Sequence, residues 1–486
     1  KPLWVAVAAS VVLAALLVYF YIGRGQAIDS LAVLPMVNAS ADTSIDYLSD
    51  GITESLINSL SQLPKLKVMS RSSVFRYKGR EAEPKVVGRE LRVQAVLVSR
   101  LIERGDNLSI SAELVDTRDS THLWGEQYNR KLADVQAVQE EIGREITDKL
   151  RVKLTGEQKK SFARRQTQNN EAYHDYLKGR YFWNKRSAAG VKTAIEHFNA
   201  AIAKEPTFAL AYAGLADSYA VLSTFAAVPP RECLPKARIA ALKALEIDDT
   251  LGEAHAVLAE VKVLYDFDWA GAERNFKRAI ELNPGYATAR GWYALYFARS
   301  DRFNEALAEV KRAQELDPLS LIINSLVGSV LFHWRRYDQA IEQFRQTLAM
   351  DPGFGPARLN LGRTYLAKRM YPEAIAEFRA GLKFAGEDPR FIPGLGHAYA
   401  LSGNQAEAQK ILSELLARSK HGYLPPLGIA TVYIGLGDKD RAFQWLGEAV
   451  EERGEYVTWL KNDPLYDPLR SDPRFPDLLR RLNLAP

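Results

Sequence analysis

The side chains of this chain whose types and spacing could do chemistry are Arg299, Ser329, His333, Arg363, Arg390 and His397, and that chemistry is recognition rather than bond-making. Arg299 and His333 stand 34 residues apart, as do Ser329 and Arg363, and Arg363 and His397. Cationic and hydrogen-bonding groups recurring at a fixed interval suit an extended peptide or a partner helix, and guanidinium groups among them favour carboxylates. Catalytic constellations are missing. The sequence holds no Gly-rich phosphate loop ending in Gly-Lys-Ser/Thr, no His-Glu-x-x-His, no Gly-x-Ser-x-Gly and no kinase signature. Its seven histidines, at 122, 174, 197, 255, 333, 397 and 421, have no metal-ligand spacing. Cys233, the single cysteine, excludes an intrachain disulfide and any multi-Cys zinc site. No catalytic, cofactor or metal site is expected in the residues present.

The elements that must position these residues follow from one regularity: Ala272, Ala306, Ala340, Ala374, Ala408 and Ala442 are spaced by 34. Four residues beyond each stands a large apolar residue (Phe276, Val310, Phe344, Phe378, Leu412, Leu446), on the same face of a helix. Pro284, Pro318 and Pro352 mark where second helices must stop. Small residues twelve before the alanines, such as Gly328, Gly362 and Gly396, let the first helix pack closely on its partner. This is the tetratricopeptide pattern, an α-helical solenoid of helix pairs. Extended backwards, it predicts about eight repeats over residues 175–456, the second holding a longer loop near Phe225 to Cys233, followed by a C-terminal cap at 457–486. Positions nine and thirteen of each repeat should face the concave groove, and these, with Arg390 at position two, are the six residues named above. The Lys-and-Asn pattern that clamps a C-terminal carboxylate is not reproduced, because Ser325 and Leu359 fill position five.

Before the repeats, residues 28–155 read as strands and helices of a small α/β sandwich, with a hairpin of Ala95 to Arg104 and Asn107 to Asp116 about Gly105-Asp106. Asp50 is the expected cap of a helix carrying Ile52, Leu56, Ile57 and Leu60. Residues 156–174 read as a linker. Leu3 to Ile22 is an uncharged run closed by Arg24, long enough for a transmembrane helix. Ala6, Ser10 and Ala14 lie four apart on it and could seat a homodimer. Lys1 in place of an initiator Met suggests a longer parent chain. The balance of 64 basic against 59 acidic residues indicates no nucleic-acid surface.

The runs Ser30-Leu-Ala-Val-Leu-Pro-Met-Val-Asn38, Tyr47-Leu-Ser-Asp-Gly-Ile-Thr-Glu54, Val68 to Lys78 and His122-Leu-Trp-Gly-Glu-Gln-Tyr128 resemble the bacterial TolB amino-terminal-like (FlgO-like) domain. With an anchor before it and repeats after it, the order resembles the sensory half of bacterial signalling proteins. The resemblance implies a missing N-terminal output domain: a serine/threonine kinase, a winged-helix regulator of the ToxR and CadC type, or a nucleotide cyclase. The wording near Ile28 to Pro35 and Ser59 to Met69 is closer to the kinase-linked branch. It also implies a single-pass protein of the bacterial inner membrane, its α/β and repeat domains in the periplasm. A non-signalling envelope scaffold is the alternative.

Overall fold

The computed structural model describes residues 28–40, 42–63, 65–150, 167–185, 187–226, 228–385 and 390–484. The first of these build a mixed sheet of β1 (Ser30–Val33), β2 (Val37–Asn38), β3 (Lys67–Val68), β4 (Ala95–Arg104), β5 (Asn107–Asp116) and β6 (His122–Lys131). Its order is β3-β1-β4-β5-β6, with β2 also pairing β4. β1 runs parallel to β3 and β4, whereas β4, β5 and β6 are antiparallel. The hairpin closes at Arg104 and Asn107 over Gly105, whose φ of 60° is open to glycine at no steric cost. Along β5, Leu108, Ile110, Ala112 and Leu114 are buried and alternate with polar residues, so one face of this half-sheet meets the core. Helices Asp46–Ser61 and Val135–Lys149 bury Ile52, Leu56 and Leu60, and Val138, Ile142 and Ile146. The first begins at Asp46, so Asp50 is not its cap. It lies inside the helix, buried, its carboxylate 2.7 Å from Lys78 Nζ.

The rest is helix pairs. The six alanines of the 34-residue frame are all fully buried. Two of their large partners fill space that glycine leaves: a Cβ on Gly328 would stand 2.5 Å from the Phe344 ring, and one on Gly362 2.6 Å from Phe378. Second helices end at Leu282, Leu316 and Met350, directly before the Asn-Pro and Asp-Pro steps. Between the helices of successive pairs the backbone turns left-handed at Phe267, Asp301, Arg335, Arg369, Gly403 and Gly437, again 34 apart. The array opens with helix Asn170–Trp183, capped by the Asn169 side chain on Ala172 N at 3.1 Å. The loop expected near Phe225 to Cys233 is not long. Its residues extend the two helices, Ala209–Ala226 and Pro230–Ile247, to 18 residues each. Pro230 fits the first turn of a helix, whose N–H groups need no partner.

Two sequence expectations are corrected here. The fold of the described residues is a mostly helical tetratricopeptide-type solenoid with a small mixed sheet before it, and no transmembrane helix stands among them. Among the described residues no helix is long and apolar enough to cross a membrane. The second helices of the pairs bury an apolar side against their neighbours and carry charge on the other, as in Gln405–Arg418, which buries Ala408, Ile411, Leu412 and Leu415. The run at 3–22 lies outside the described residues, with the dimer contact read from it. The inner-membrane location and periplasmic placement rest on that run and find no support among the described residues.

Candidate peptide-binding site

The segment after residue 456 turns back along the concave side of the array rather than stopping at its end. Val457, Leu460, Tyr466, Leu469 and Phe475 are buried there. The Trp459 ring stacks on His333 at 3.8 Å between centroids, and the Arg299 guanidinium lies 4.8 Å over the same ring. Asn462 Nδ2 donates to the Ala298 carbonyl at 2.6 Å, and Trp269 Nε1 donates to the Leu482 carbonyl at 2.9 Å. Asp463 pairs with Arg363, and Asp467 takes both terminal nitrogens of Arg335 at 2.7 Å.

This arrangement divides the six sequence-nominated residues. Arg299, Ser329 and His333 are on the concave face but buried beneath the tail, Arg299 only 2% exposed. Arg299 Nη1 lies 3.6 Å from Glu260, and Ser329 Oγ donates to the Ser325 carbonyl at 3.1 Å. Arg363, Arg390 and His397 instead line a cavity of about 1300 Å³. The array contributes Leu359, Pro393 and Leu427 to its wall, the tail contributes Asp463 and Tyr466, and Ser187 and Pro230 of the first repeats close it. Pockets for drug-sized ligands run to roughly 1,000 Å³. A peptide segment suits this larger space.

The electrostatics of the row follow from burial. Burial would raise the Asp463 carboxyl, but the Arg363 guanidinium, helped by the Leu465 N–H, overcomes it and holds the group below the usual carboxylate range. Burial pushes His333 and His397 down. Both rings are therefore neutral at pH 7. Each donates Nδ1–H to a backbone carbonyl, of Ser329 and of Thr431, at 2.8 Å, which leaves Nε2 as an acceptor. His333 Nε2 stands 3.8 Å from Asp463, too far for a hydrogen bond. The cavity thus offers guanidinium donors, an imidazole acceptor and apolar walls.

Sequence reasoning missed Trp459, Asn462, Asp463 and Asp467, because Asp-Pro steps read as punctuation rather than as ligands. It also missed Arg335 and Arg369, which fall in turns. A signal for those two exists: they occupy the repeat position filled by glycine at 403 and 437.

Sequence models described as tetratricopeptide repeat match residues 264–320 and 334–392, and one described as the second domain of HilA/YgeH-like transcriptional regulators matches 26–145. The Rhizobium meliloti (strain 1021) protein named "Putative adenylate cyclase 3" is 34% identical over 235 residues, 47% of this chain and 39% of that protein. Transcriptional regulator HilA of Salmonella typhimurium is 22% identical over 143 residues, 29% of this chain and 26% of its own length. The chain therefore spans well under half of either relative. Among solved structures, Pseudomonas aeruginosa pilF aligns with a TM-score of 0.32 at 21% identity, over 41% of this chain and 90% of that one. No functional inference rests on a likeness of that size. Repeat matches in both halves of the array, on helix pairs built around the 34-residue alanine frame, establish that this chain carries tetratricopeptide repeats.

Proposed function

We propose that this chain is the protein-binding, regulatory portion of a bacterial signalling protein, taking a peptide segment of a partner in the cavity beside Arg363, Arg390 and His397. The observation that carries the reading is the tail itself. The concave row already holds a peptide, residues 457–469, through aromatic stacking, backbone contacts and Arg–Asp pairs, and the open cavity continues alongside it. A nucleotide cyclase is the output domain favoured by the 34% identity to the cyclase-named relative. The match to a HilA-like second domain favours a transcriptional regulator as the second reading. The kinase-linked branch ranks behind both, and in each case catalysis or DNA binding would belong to sequence outside these residues.

The test is a photo-reactive amino acid placed at Leu427, on the cavity wall, and at Leu242, on an exposed helix surface, in the bacterium that makes the protein. The first site should capture a defined partner that the second does not. A peptide of that partner should bind the purified chain in titration calorimetry and lose affinity with Leu427→Glu at an unchanged melting temperature. Identical adducts at both sites, or a peptide indifferent to Leu427→Glu, would remove the cavity from function.

A further inference from the structure

Arg335 and Arg369 sit at the same place in consecutive repeats, with φ of 61° in each. This left-handed turn position favours glycine, and the two following repeats put Gly403 and Gly437 there. A long side chain held in a disfavoured backbone conformation is retained where the side chain has a task. For Arg335 the task is visible: its guanidinium grips the Asp467 carboxylate with two bonds of 2.7 Å. Arg369 lines the cavity in the equivalent position but forms no ion pair with any described residue. The charged side chains of the lining are four arginines, 335, 363, 369 and 390, and two aspartates, and the aspartates are held by Arg335 and Arg363.

We propose that Arg369 is the docking point for a carboxylate of the bound peptide, which continues the line of residues 463–468 through the cavity. The ligand class is an acidic peptide with apolar side chains. This deepens the peptide-binding reading above and rests on it. Repeat equivalence supplies the first argument, since stacked units present equivalent side chains at equivalent offsets and Arg335 shows what the position takes. The planar guanidinium fork matches a carboxylate in geometry as well as charge. The apolar wall, with Leu359, Leu366 and Leu427, accounts for the rest of the ligand.

Substitution of Arg369 by glycine separates binding from folding, because glycine is at home in this turn. The R369G chain should melt at the same temperature as the wild type or higher. The probes are a fluorescein-labelled octapeptide of alternating glutamate and leucine, its lysine-leucine counterpart, and dodecanoate. The full chain should bind the glutamate peptide saturably, more weakly as salt rises, and lose about tenfold or more on R369G. Arg278→Ala, outside the cavity, should leave that affinity unchanged. Equal binding of the lysine peptide, or an affinity that R369G leaves intact, would overturn the assignment. Dodecanoate bound in place of the glutamate peptide would overturn it in favour of a lipid-like acid. Should no peptide bind while cross-linking at Leu427 still captures a partner, the carboxylate assignment falls and the protein-binding reading stands; failure of both overturns both.

Discussion

Asp463 joins the array and its tail in a single side chain. Its carboxylate pairs with Arg363 and also caps the following turn by accepting from Leu465 N at 2.9 Å. Because its folded pKa is depressed, its contribution to stability is complete above the unfolded value near 3.9 and fades as pH falls below that. Asp463→Asn leaves the Arg363 charge half-covered and should cost about 3 kcal/mol at pH 7. It should also flatten the acid limb of a stability-versus-pH curve below about pH 4. An unchanged limb would show that the pair carries no pH-dependent stability. His333 and His397 work at higher pH. Their folded pKa values lie below the unfolded value of about 6.5, so the unfolded chain takes up protons first and stability declines as pH drops below it. Replacing both by Gln should remove that early decline in urea titrations at pH 7 and pH 5. The candidate row was legible in the sequence because position nine recurs at Ser329, Arg363 and His397. What covers it was not, since a tail that folds back makes contacts such as Asn462 to Ala298, which have no period and leave no local trace.

At the scale of the helix pair, the frame makes glycine do two different things, and substitution separates them. Gly328 faces the Phe344 ring, so Gly328→Ala overpacks the pair and should cost about 1–3 kcal/mol. Gly403, with a φ of 86° and no atom near its missing Cβ, is needed only for its backbone. Gly403→Ala should cost about 1–2 kcal/mol, and Gly403→Asn less, because Asn tolerates the left-handed turn. Chemical denaturation of the three variants checks the distinction, and equal losses for Gly403→Ala and Gly403→Asn would contradict it. Repeating positions could be read from sequence because each repeat states the same packing rule again. Interruptions could not. Pro229-Pro230 suggested a loop, yet a proline in the first helical turn is as compatible with the start of a helix, and Cys233 and Leu234 behind it are buried in the array. Asp50 similarly matched a capping pattern, but a cap needs orphan N–H groups, and the helix had already begun at Asp46. Lys78 and Arg71, more than twenty residues on, reveal its role.

Across the whole molecule, the α/β domain is joined to the array by more than the chain. Glu54, buried in helix Asp46–Ser61, takes Arg71 of its own domain at 3.2 Å and Arg180 and Asn184 of the first array helix, the latter at 2.6 Å. Burial would raise the Glu54 carboxyl, and the Arg180 and Arg71 guanidinium groups hold it down instead. Farther along, Ser61 Oγ bonds to Asn283 at 3.2 Å and Ser73 Oγ to Asp317 at 2.7 Å, so the turns between repeats that end in Asn-Pro and Asp-Pro also dock the domain. Gly285 lies so close to Ser61 that a Cβ there would stand 2.8 Å from its carbonyl oxygen. Domain and array should therefore unfold as one cooperative unit, giving a single calorimetric transition. Glu54→Gln leaves the part-buried Arg180 and Arg71 guanidinium groups only their longer contacts to Asp217 at 3.4 Å and Asp50 at 3.9 Å, and should cost about 3 kcal/mol. Because that loss falls on the interface, the α/β domain should then melt ahead of the array and the transition should split. Gly285→Val should do the same by steric displacement alone, with every charge in place. Two transitions in the wild type would sink the idea, and a uniform downward shift without splitting would place Glu54 in the α/β core instead. A rigid junction has a consequence for signalling: a ligand that reorders the cavity cannot move the last repeats without loading the helix Asn170–Trp183, and through Arg180 the α/β domain that precedes it.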